Sequence, residues 1–149
     1  MGRGREHAMN GHGTGLATAD IAGDLRALGL EPNGVLLLHA SLRVMGLVAG
    51  GAATVVEAVR DVLGPAGTLV VPTTTAENSD TSRAYLASVA GLTPAQVKAH
   101  RDGMPAYDRA ATPATLAGRI AEEVRTTPGA IRSAHPQSSF AAEIGRAHV

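Results

Sequence analysis

The chain has 149 residues, with thirteen basic and thirteen acidic side chains and a formal net charge of zero. Hydrophobic residues make up 44% and charged residues 17%, which excludes wholesale disorder and suits one domain burying about 70% of its unfolded surface. The neutral balance argues against a nucleic-acid partner, no apolar run is long enough for a membrane partner, and the lack of cysteine excludes disulfides, thiolate metal sites and a thiol nucleophile.

Residues 1–15 are rich in glycine without periodicity and read as a tail; the apolar stretch of a signal peptide is absent, which points to the cytoplasm. Thr18 reads as the N-cap of a helix whose stripe is Ile21, Leu25 and Leu28 and which ends at Gly29. After the turn Pro32-Asn33-Gly34, the run Val35-Leu36-Leu37-Leu38-His39 has the pattern of a strand buried on both faces of a parallel sheet. A loop with Gly46, Gly50 and Gly51 leads to a helix over 54–63, on which Val55, Val56, Val59 and Val62 recur at helical spacing. Gly64-Pro65 stops it, and residues 68–71 form a second buried strand closed by Pro72. Strand, helix and strand in this order predict a right-handed crossover and an α/β fold with a mostly parallel sheet and flanking helices.

Residues 73–113 are polar and too long for a plain connection. They read as a functional insertion with helical pieces near 82–89 and 94–101. Thr112-Pro113 opens a last helix with Leu116, Ile120 and Val124 on one face, and residues 138–142 could start another strand. Only Tyr85, Tyr107 and Phe140 are aromatic against 28 alanines, so the core is one of Ala, Val and Leu.

Ligands of a parallel sheet gather at the carboxyl ends of its strands, here His39-Ala40-Ser41-Leu42 and Pro72-Thr73-Thr74-Thr75. Glycines before a helix allow a phosphate or a pantetheine arm to approach backbone N–H groups; the plain alternative is a tight turn. The spacing is neither a dinucleotide fingerprint nor a Walker loop. His135, before Pro136, could accept a proton from an attacking amine, or could instead fix its loop by hydrogen bonds. Ser41 lacks a nucleophile elbow, so hydrolysis through a His39–Ser41 pair is a poor fit. His7, His12, His100 and His148 have no ligand spacing, so no metal is expected. Glu77, Asp80, Asp102 and Asp108 could meet a cationic substrate, although Arg83, Lys98 and Arg101 among them also fit a solvated surface.

In this order the blocks VLLLHASL (35–42), Gly50-Gly51-Ala52, LGPAGTLVVP (63–72), NSDTSRAY (78–85), MPAYD (104–108) and RSAHPQSSFAA (132–142) resemble the aminoglycoside 3-N-acetyltransferase family, in its versions with a long insertion. The resemblance implies transfer of an acetyl group from acetyl-CoA to the 3-amino group of 2-deoxystreptamine antibiotics, by direct attack of the amine and without an acyl-enzyme, conferring resistance. It places His39, Ser41, Leu42, Gly46, Gly50, Gly51, Thr73 and Thr75 at the cofactor, and Glu77, Asp80 and Asp108 at the aminoglycoside. His135 matches the family's Ser-x-His-Pro histidine and is the catalytic candidate within the chain. Where the family reads Asp-Pro-Ala-Thr-Thr-Pro, this chain has Asp108-Arg109-Ala110-Ala111-Thr112-Pro113, and a common Met-Gly pair is Ala117-Gly118.

The family's main His/Glu pair lies in a Leu-His-x-Ala-Glu-type block that this sequence does not contain. Residues 16–142 are therefore expected to be the N-terminal part of the domain, with the sheet incomplete towards its C-terminal side. Residues 143–149 leave the family's pattern and end as a translated sequencing adapter does, so a non-native end is expected. Two further readings stand beside this one: an inactive CoA-binding fragment, and an unrelated α/β phosphate- or nucleotide-binding module that explains only the glycine loop. Oligomeric state stays open, although exposed sheet edges would favour association.

Overall fold

The computed structural model describes residues 15–76 and 78–145. The tail expected over 1–15 falls outside them except for Gly15, as do Glu77 and residues 146–149. The order is α1 (Thr18–Ala27), β1 (Val35–Leu37), α2 (Leu42–Met45), α3 (Ala52–Leu63), β2 (Thr68–Pro72), α4 (Arg83–Ser88), α5 (Pro94–Asp102), α6 (Gly118–Thr126), β3 (Ile131–Arg132) and β4 (Phe140–Glu143).

The strands form one sheet in the order β1-β2-β4-β3. The pair flanking α3 is parallel as expected, with Leu36 opposite Leu69. The sheet as a whole is not mostly parallel: β4 runs antiparallel to β2, with Val71 opposite Ala141, and antiparallel to β3, with Arg132 opposite Ala141. An antiparallel return needs only a short connection, and residues 133–139 supply it.

Helices cover one face of this sheet. Val55, Val56, Ala58, Val59, Val62 and Leu63 of α3 are buried, and so are Ile120, Ala121 and Val124 of α6. They pack with Ile21 and Ala22 of α1 and with Leu69, Val71 and Ala141 of the sheet in one core. Each buried Val or Leu side chain contributes about 1.5–3 kcal/mol. Among the described residues no helix is packed on the opposite face at β1, which is therefore not buried on both faces: Val35 and Leu37 are 68% and 61% exposed.

Local chemistry moved two helix starts. Ala17, not Thr18, occupies the N-cap position of α1; the Asp20 carboxylate accepts the Ala17 N–H at 3.0 Å, and the Thr18 hydroxyl donates to Glu57 instead. Leu28 of the expected stripe lies past the helix and is 84% exposed, while Gly29 at φ 92° closes the end as expected, with the Leu30 N–H on Leu25 O. α6 begins at Gly118, whose φ of 83° is incompatible with a helix running in from Pro113, so Leu116 leaves the stripe and is 58% exposed. In the insertion, Ser82 caps α4 through the Tyr85 N–H, and Thr93 with Gln96 makes a capping box before Pro94.

Candidate active site

The carboxyl end of β1 opens on a cleft of about 670 Å³. One wall is His39, Ala40, Ser41, Leu42, Arg43 and Gly46; the other is Leu116, Ala117, Gly118 and Arg119 at the start of α6. The chain turns at Ser41, whose carbonyl accepts the Val44 and Met45 N–H groups, and leaves α2 through Gly46 at φ 84° and ψ −147°. Glycine alone enters that region without strain. Four expected cofactor residues, His39, Ser41, Leu42 and Gly46, thus share one cavity.

Gly50 and Gly51 line an adjoining cleft of about 340 Å³ with Ala52, Ala53, Glu122 and Glu123, and Arg119 belongs to both cavities. Their glycines serve the turn into α3: both have positive φ, and a Cβ on Gly50 would stand 2.5 Å from the Thr54 hydroxyl, which bonds back to Ala49 O. The tight-turn alternative therefore accounts for Gly50 and Gly51.

Thr73 and Thr75 are buried, and their hydroxyls face the C-terminal loop. Thr73 Oγ1 lies 2.9 Å from Ser139 Oγ, and the Thr75 hydroxyl donates to Pro136 O. Neither offers surface to a ligand. They belong to a network around Arg132, which sequence reasoning did not single out. Arg132 Nε donates to Thr73 Oγ1 and Ser139 Oγ, both at 3.1 Å, Nη2 donates to Thr73 O at 2.7 Å, and Nη1 donates to Thr112 O. The guanidinium lies 5.1 Å from the centre of the Tyr107 ring, and the Tyr107 hydroxyl donates to Ser133 O. Desolvation lowers the Arg132 pKa from its usual value, with no carboxylate bonded to it among the described residues. The sequence signal was an arginine in an extended segment beside Ile131.

His135 is exposed, and its Nδ1 accepts the N–H groups of Gln137 (3.2 Å) and Ser138 (3.0 Å). In the neutral ring those contacts assign the proton to Nε2, so the basic nitrogen already holds the loop. Asp108 Oδ1 accepts from Ala110 and Ala111, which holds its pKa below the usual carboxylate value through the Ala111 bond first and the Ala110 bond second. Thr112 and Asp108 bond to each other's backbone, so the loop closes without the family's proline. Asp80 pairs with Arg101 at 3.5 Å and Asp102 with Lys98, while Glu77 lies outside the described residues. Neither Asp80 nor Asp108 lines the cleft at β1. Among the described residues no group of three or more His, Cys, Asp or Glu could hold a metal ion, and no helix is long and apolar enough to cross a membrane.

A family model for aminoglycoside 3-N-acetyltransferases matches residues 37–148. Aminoglycoside N(3)-acetyltransferase VIII of Streptomyces fradiae is 37% identical over 126 residues, 84% of this chain and 42% of that protein. The crystal structure of YokD from Bacillus subtilis aligns with a TM-score of 0.75 and 35% identity, covering 89% of this chain and 52% of that one. AAC-IIIb, solved as a binary complex with CoASH, aligns with a TM-score of 0.69 and 30% identity, covering 91% of this chain and 48% of that one. The chain therefore spans about half or less of the length of the relatives it matches.

Proposed function

The chain belongs to the aminoglycoside 3-N-acetyltransferase family, and from that premise we propose that it serves the transfer of an acetyl group from acetyl-CoA to the 3-amino group of a 2-deoxystreptamine aminoglycoside. Resistance to the antibiotic, in the cytoplasm, is the corresponding biological role. Residues 16–142 would form the N-terminal part of the domain. The observation that carries this reading is the cleft at the end of β1, where His39, Ser41, Leu42 and Gly46 meet the first turn of α6.

The cleft suits the pantetheine arm of acetyl-CoA. Leu42 and Leu116 offer apolar surface to its methylenes, and Ser41 offers a hydroxyl to its amides. In the reaction the amine nitrogen bonds to the thioester carbonyl carbon, the C–S bond breaks, and its electron pair leaves on the CoA sulfur. The proton shed by the nitrogen needs an acceptor. His135 is a poor one while its Nδ1 holds Gln137 and Ser138, and its geometry supports a positioning role. Asp80 and Asp108 would face the ammonium groups of the antibiotic, with Asp108 ionised across the working pH range.

The test is to purify the 149-residue chain, titrate it with CoA by calorimetry, and then follow thiol release from acetyl-CoA in the presence of kanamycin. The expected result is saturable CoA binding without turnover, because no carboxylate stands with His39 among the described residues lining the cleft. Absence of CoA binding would overturn the reading of the cleft; sustained acetylation would show that the chain holds its own proton acceptor.

A further inference from the structure

Two arginines face the cleft at β1 from different elements. Arg43 stands on α2 and Arg119 on α6, and among the described residues no carboxylate lines the cavity with them. Both side chains are exposed, and neither makes an ion pair or hydrogen bond among the described residues. The nearest acids along α6, Glu122 and Glu123, line the adjoining cavity instead. Glu122 is held by both Arg125 and the Ala114 N–H, the Arg125 bond chief among the causes that lower its pKa, so its charge is already answered. Among the described residues lining the cleft, the two arginines thus stand without a carboxylate, while Glu123 shares the adjoining cavity with Arg119.

That balance sorts the two substrates of the proposed reaction. A polycationic aminoglycoside is repelled from such a cavity, whereas a polyanion is drawn to it. A guanidinium presents a planar fork of N–H donors matched to phosphate oxygens, and two of them lining one cavity from separate elements suit a ligand with more than one phosphate group. The geometry points to Arg43 and Arg119 as the residues that bind the phosphate groups of CoA and so select a phosphorylated acyl donor over a bare pantetheine thioester. This rests on reading the cleft as the CoA site. Residue types in the sequence did not signal it, because only the fold brings positions 43 and 119 to one cavity.

The test compares CoA with pantetheine, which keeps the thiol arm and lacks every phosphate, by titration calorimetry on the 149-residue chain and on Arg43→Gln, Arg119→Gln and the double variant. Wild type should bind CoA far more tightly than pantetheine. Each single substitution should weaken CoA binding about tenfold, the double variant more, and pantetheine binding should not move. Arg43→Lys and Arg119→Lys should retain part of the affinity, since the charge survives and the fork does not. Unaltered melting temperatures confirm folding, as expected for exposed side chains. If pantetheine binds as tightly as CoA, or if the double variant keeps wild-type affinity for CoA, the inference is overturned while the CoA reading stands. If wild type binds neither ligand, the CoA reading fails and takes the inference with it.

Discussion

Arg132 spends the donors of its guanidinium on oxygens from three separate segments: Thr73 at the end of β2, Ser139 before β4, and Thr112 of the insertion. A buried cation bonded only to neutral acceptors is costly to place and costlier to remove, because its partners stay desolvated. Arg132→Met should therefore destabilise the chain by roughly 3 kcal/mol in urea unfolding, and Arg132→Lys should recover only part, since one ammonium cannot reach acceptors on all sides. A loss below about 1 kcal/mol for Arg132→Met would contradict this assignment. His135 follows the same logic at a smaller scale, with its ring nitrogen acting as a loop cap.

Among the elements, α2 and its exit at Gly46 shape the mouth of the cleft. A Cβ at Gly46 would meet nothing within 4 Å, so the cost of Gly46→Ala is purely one of backbone conformation at φ 84°. Thermal unfolding should show a loss of about 1–3 kcal/mol, and an unchanged melting temperature would contradict a rigid turn there. Some of this was legible in the sequence. The valine stripe of α3, the paired runs of β1 and β2, and the helical pieces near 82–89 and 94–101 all carry local signals that the fold obeys. The antiparallel half was not legible, because β3 is two residues long and its pairing with β4 is fixed by contacts of Arg132 and Ser133 across a loop. The burial of Thr73 and Thr75 was not legible for a related reason: strand-end position is readable, whereas side-chain direction is decided by what packs against it. Arg43 and Arg119 escaped notice because residues 76 positions apart converge only in three dimensions.

For the molecule as a whole, helices on one side of the sheet leave an apolar face on the other. Val35, Leu37, Ile131 and Phe140 are 68%, 61%, 57% and 44% exposed, and the strand register places Val35 and Leu37 on the face of Val70 and Ala142. Such a patch on an edge strand invites association. Sedimentation velocity should show mass rising with concentration, and Val35→Lys combined with Leu37→Lys should suppress it; a wild-type monomer at every concentration would contradict the prediction. The cleft lies at the carboxyl end of the same strand, and its occupancy can be read residue by residue. Titrating CoA into the isotopically labelled 149-residue chain should shift the amide resonances of residues 39–46 and 116–119 and leave those of 94–102 in place. Shifts confined to other regions, or none at saturating CoA, would contradict a cofactor site at the end of β1.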